Sequence, residues 1–110
     1  MLNHFKQVND KPDLGRVTLL EIASRICVVR LADSSYCLLK VETVYPLQLG
    51  DWIRGDFSKI GERNMIVVDS VTPIRVFVKA TRVLVAEKIK ARFRLASEAS
   101  DLVNFCQLDD

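Results

Sequence analysis

Trp52 and Arg54 stand two positions apart in "LQLGDWIRGDF", residues 47–57, so on an extended strand they share one face. A flat aromatic beside a cation suits stacking of a planar ligand while an anion is held next to it. Trp52 is the only tryptophan of the chain. The pairing recurs as Tyr36 with Lys40 in "YCLLKVE" and as Phe77 between Arg75 and Lys79 in "IRVFVKA". Other chemistries find less to build on. Cys27, Cys37 and Cys106 show neither CxxC nor Cys/His spacing and read as buried thiols rather than a disulfide framework or a zinc site. His4, the one histidine, lies in a polar segment without nucleophile or carboxylate partners. Asp51 and Asp56 neighbour basic residues, where carboxylates make surface ion pairs. Glycines at 15, 50, 55 and 61 are too scattered for a phosphate loop. No catalytic residue, no metal and no cofactor is expected, and the chain reads as a non-enzyme.

Composition bounds the rest. The chain has 110 residues, 49% of them apolar and 27% charged, which fits one domain with a sizeable core and apolar surface to spare for a partner. No run reaches the roughly 18 to 20 apolar residues of a membrane span, and "MLNHFKQVNDKPDLG" lacks a signal-peptide core, so the expectation is a cytoplasmic protein without a membrane partner. The net charge of +2 is unevenly spread: six cations face Glu87 alone between Lys79 and Arg94. That run reads either as a solvated helix face or as an anion-binding strip.

The elements must position these groups. Residues 1–15 read as a flexible arm. From Arg16 onward come "RVTLLEIAS", "RICVVRLA", "YCLLKVE", "DWIRGDF", "NMIVVDSV" and "IRVFVKA", separated by "DSS", "YPLQLG", "SKIGER" and "TP". These are five to seven strands with turn chemistry between them. Alternation puts Cys37, Leu39, Val41, Ile53, Phe57, Ile74, Val76 and Val78 inward, and Trp52, Arg54, Arg75, Phe77 and Lys79 outward. The apolar parity changes between Ala23 and Ile26, which reads either as a bulge in one long bent strand or as two strands. Residues 82–95 fit strand or helix. Ser97–Glu98 has the form of a helix start, so a C-terminal helix is expected over about 97–107, within a basic and helical segment 87–110.

From Val17 to Thr81 this pattern resembles the OB-fold, a five-stranded Greek-key β-barrel, and the fold class expected is all-β with a C-terminal helix, the barrel spanning 16–86. The resemblance rests on the bent first strand, the hairpin through "DSS", the "LGDWIRGDF" strand and the "MIVVDSVTPIRVFVKA" hairpin. The links after Glu42 and Phe57 are too short for the helix many members carry there. The family's ligand face implies Tyr36, Lys40, Trp52 and Arg54, with Lys59 and Arg63 on the neighbouring loop. Arg75, Phe77 and Lys79 extend the set from the alternation.

The expected function is binding of single-stranded nucleic acid, DNA foremost, by stacking and phosphate contacts. The alternative is a protein-interaction or assembly subunit, either a homo-oligomer or bound to another protein. Individual residues keep second readings: Trp52 as a barrel-end or dimer contact, Phe77 packed under the helix, and Arg75 and Lys79 as edge charges. Tyr45 reads as a loop anchor.

Overall fold

Alternating side chains become the two sides of a barrel wall. The computed structural model describes residues 13–100, with side chains to 97. Six strands are present: β1 (Asp13–Glu21), β2 (Ile26–Leu31), β3 (Tyr36–Val41), β4 (Trp52–Gly55), β5 (Gly61–Val67) and β6 (Thr72–Val83). They close in the order β1-β2-β3-β6-β5-β4, and every neighbouring pair is antiparallel. The helix α1 (Ala86–Ser100) follows. The expected β-barrel with a C-terminal helix is present, with six strands where the resemblance implied five.

The barrel is filled by the inward parity of every strand, including Val17, Val29, Leu39, Ile53, Phe57, Met65 and Val76, each at most 1% exposed. Gly55 is needed here because a Cβ at that position would meet Met65 Cγ at 2.4 Å and Sδ at 2.9 Å. β2 and β3 carry unbroken apolar runs because both of their faces are covered. Cys27 and Val29 line the interior, while Ile26, Val28 and Leu38 pack outward with Ala80 against Ile89, Phe93 and Ala96 of α1. Burial of Ile89, 1% exposed, contributes roughly 1.5 to 3 kcal/mol to holding the helix on the barrel.

Of the two readings of the parity change between Ala23 and Ile26, the two-strand one holds: a hairpin turn spans 22–25, and the β1 bulge lies earlier, between Val17 and Leu19. The helix starts at Ala86, after Val85 whose carbonyl accepts the Lys88 and Ile89 amides, so residues 86–95 are helical and Ser97 is no N-cap. Its hydroxyl donates to the Phe93 carbonyl within the helix instead. Residues 101–107 of the expected helix lie outside the described residues, as do His4 and Cys106. The "GER" of "SKIGER" opens β5 and "TP" opens β6, the β5–β6 turn being Val68–Val71.

Two barrel ends result. At one, Arg82 (φ 54°) donates to both Asp33 (2.9 Å) and Asp13 (3.0 Å), tying the β2–β3 turn and the start of β1 to the end of β6. At the other, the turns 22–25 and 68–71 flank the 42–51 link.

Gly55→Ala is expected to lower stability by about 1 to 3 kcal/mol through overpacking. Met65→Ala should cost less on the Gly55→Ala background than on the parent protein, because the two side chains contest one volume. Urea denaturation of the two single variants and the double variant checks this; independent, additive losses would contradict the packing.

Candidate functional site

A filled interior leaves ligands the outer wall and the two ends. On the wall, strand register sets which side chains meet. Arg16 of β1 is directly opposite Trp52 of β4 on one side and Arg30 of β2 on the other, and Arg30 is opposite Tyr36 of β3. Trp52, Arg16, Arg30 and Tyr36 thus form one cross-strand row. With strands about 4.8 Å apart, three steps span roughly 14 Å. Trp52 is 38% exposed, and the Arg16 guanidinium lies 5.6 Å from its ring centroid.

The local backbone fixes this geometry. Gly50 takes φ 91°, and its amide donates to the Val17 carbonyl at 2.8 Å, while the Val17 amide donates to Asp51 at 2.9 Å. The Asp51 carboxylate accepts the Gln48 amide at 2.9 Å. The "LGD" turn therefore delivers Trp52 alongside β1 as β4 begins.

Arginines directly opposite each other on a sheet repel. Arg16 leans over Trp52, and Arg30 donates to Ser34 Oγ at 3.4 Å. Among the described residues no carboxylate pairs with Arg16, Arg30 or Arg54. A groove of about 200 Å³ runs from Thr18, Arg30 and Tyr36 to Lys90 on α1, adding a cation from the helix. The row suits an extended anion with planar groups: two aromatics at its ends, two guanidinium groups between them, and Arg54 and Lys90 beside it.

The nine residues singled out from the sequence do not all meet here. Tyr36 and Trp52 belong to the row and Arg54 lies beside it, although Tyr36 also packs toward α1. Lys40, Phe77 and Lys79 form a second group on β3 and β6, with Lys40 opposite Phe77 and the Lys79 ammonium 5.9 Å from the Phe77 ring. Phe77 is half-buried and stands outside the cluster under the helix. β5 separates this group from β4 and presents Glu62 opposite Phe77. Arg75 pairs with Glu62 at 3.3 Å. Arg63 sits on the inward parity of β5, 3.9 Å from Asp56, and Lys59 is exposed on the β4–β5 link. Sequence reasoning missed Arg16 and Arg30, and met Lys90 only as a member of the basic run from Lys79 to Arg94. The inward set Cys27, Val29 and Leu31 did signal an outward Arg30, but pairing of β1 with both β2 and β4 is a tertiary fact.

Asp33 and Asp56 are held below the usual carboxylate range, each mainly by hydrogen bonds from the hydroxyl and amide of the serine two positions on, Ser35 and Ser58. They brace turns. Burial pushes the Cys27 thiol up to about 12, and burial also raises Cys37, whose Sγ lies 3.4 Å from Thr81 Oγ1. Neither is poised as a nucleophile. Among the described residues no three His, Cys, Asp or Glu side chains gather as a metal-holding group, and no helix is long and apolar enough to cross a membrane.

Comparison of the chain with protein-family models, with curated proteins and with solved structures found no match.

Cys27 and Cys37 are expected to resist iodoacetamide at pH 8 in the native protein and to be alkylated in urea, read by peptide mass spectrometry. Rapid native modification of Cys27 would contradict its burial.

Proposed function

We propose that the protein is a non-catalytic, OB-like binding module that takes single-stranded nucleic acid, DNA foremost, across β4, β1 and β2. The observation that carries this reading is the Trp52–Arg16–Arg30–Tyr36 row. Bases stack on Trp52 and Tyr36, and phosphates occupy the space between Arg16 and Arg30. Stacking on an aromatic side chain is sequence-tolerant and worth roughly 1 to 3 kcal/mol per base. The closed antiparallel barrel is compatible with the OB-like architecture that motivated the expectation.

The opposed arginines add an argument that does not depend on fold. Like charges across a sheet destabilise the unliganded protein, and an anion between them reverses the sign of that contribution. Lys40, Phe77 and Lys79 on the far side of β5 offer a second, shorter aromatic and cation group onto which a longer strand extends.

Titration with an oligo-dT of about 20 nucleotides at low salt is expected to quench the single tryptophan. Trp52→Ala should weaken binding by about 1 to 3 kcal/mol. Arg30→Gln separates a ligand role from a structural one. It should raise the stability of the unliganded protein by a few tenths of a kcal/mol, while weakening binding and flattening the slope of log K against log salt by about 0.7. No retention of oligonucleotide and unchanged fluorescence would overturn the reading.

A further inference from the structure

At the barrel end formed by the turns 22–25 and 68–71 and the 42–51 link, a depression of about 450 Å³ opens to solvent. Leu20, Val41 and the buried Leu47 line it, and Tyr45 and Pro46 form a wall. Tyr45 is itself fixed by a 2.8 Å hydrogen bond between its hydroxyl and that of Ser70 on the β5–β6 turn. That volume accommodates a large apolar group.

Three observations point to what fills it. Aliphatic side chains stand exposed around this end, Ile22 at 77%, Val44 at 81% and Val71 at 73%, more apolar surface than a ligand confined to the depression would cover. Val71 also holds φ 51°, a left-handed conformation that β-branched residues avoid, so it is both strained and solvated where a glycine would be neither. Finally, Arg25 is the one charged side chain in the lining. Its guanidinium reaches only the backbone carbonyl of Glu42, at 3.5 Å, and among the described residues it has no carboxylate partner.

We propose that this end docks a partner protein that inserts one large apolar side chain into the depression and sets an adjacent Asp or Glu against Arg25. The apolar anchor covers the lining, its flanking residues cover Ile22, Val44 and Val71, and the carboxylate satisfies the guanidinium donors. Glu42 and Asp69, exposed on the same end, disfavour a polyanion or an anionic membrane as the occupant. The surface shares no residue with the row on β4, β1 and β2 and does not rest on the nucleic-acid reading.

The test is selection of a random peptide library displayed on phage against the immobilised full chain. Enriched peptides should share a Leu, Met, Phe or Trp next to an Asp or Glu, and a synthetic copy should bind with at least tenfold loss on Val44→Asp and on Arg25→Gln. Both positions are exposed, and unchanged circular dichroism and Trp52 emission establish that the variants fold. Selection without enrichment, or peptide binding indifferent to both variants, overturns the proposal. Decanoate binding as tightly as the peptide would replace the partner with a small amphiphile. Self-association of the chain abolished by Val44→Asp would assign the surface to a second copy.

Discussion

Closure of the barrel depends on β1 pairing along both of its edges, with β2 on one and β4 on the other. The bulge between Val17 and Leu19 lets one strand do this. Val17 points inward beside Val29, and beyond the bulge Leu19 turns outward beside Val28 while Leu20 returns to the interior. Closure leaves no sheet edge for strand addition among the described residues. It also brings Arg16 between Trp52 and Arg30, since only a strand with two partners sets one side chain between two neighbours. The same act closes the fold and makes the row.

A small barrel has no room inside for a ligand once side chains fill it, and Gly55 shows how full this one is. The outer wall and the ends are therefore the surfaces open to a ligand, and the distribution of carboxylates decides which cations there remain unneutralised. Asp13 and Asp33 neutralise Arg82, Glu62 neutralises Arg75, and Asp56 faces Arg63. Each of these pairs lies at a barrel end or on β5–β6. Among the described residues the wall formed by β4, β1 and β2 holds arginines without such partners, so their charge stays unneutralised while the cations elsewhere brace turns and strands.

Much of the wall was legible from the sequence because period-2 alternation is a local property. Cys37, Leu39 and Val41, then Ile53 with Phe57, then Ile74, Val76 and Val78 are all buried as that alternation requires, and Trp52 with Arg54 faces out. The Asp-x-Ser turn at 33–35 was equally local. The helix was displaced because odd-numbered Val83, Val85, Ile89 and Phe93 alternate with even-numbered cations as a strand would, and because Ser97–Glu98 has the chemistry of a cap. The deciding signal was Ile89, Phe93 and Ala96 at spacings of four and three, a stripe whose partner surface of Ile26, Val28, Leu38 and Ala80 exists only after the barrel closes. Grouping of site residues failed for the same reason. Parity places a side chain on a face, but it does not say which strand lies alongside, so Arg75 joined the expected set while Arg16, adjacent to Trp52 in space and 36 positions away in sequence, stayed outside it; Arg63 joined it as a loop residue implied by the resemblance and lies instead in β5.

The two proposed surfaces differ in how they would recognise anything. The row offers charge and flat rings on rigid strands, which suits a ligand of repeating chemistry and little sequence identity. The apolar end offers one shaped depression, a strained aliphatic rim and a single guanidinium, which suits one anchor in one orientation. Two hydrogen bonds lie on the short path between them: the Val68 amide donates to the Trp52 carbonyl at 2.9 Å, and two residues later Ser70 meets Tyr45. Neither connection includes a lining side chain of both surfaces. The filled interior lies between them, and among the described residues no side chain is common to both surfaces. If both proposals hold, the barrel is the spacer that sets the position of one occupant relative to the other.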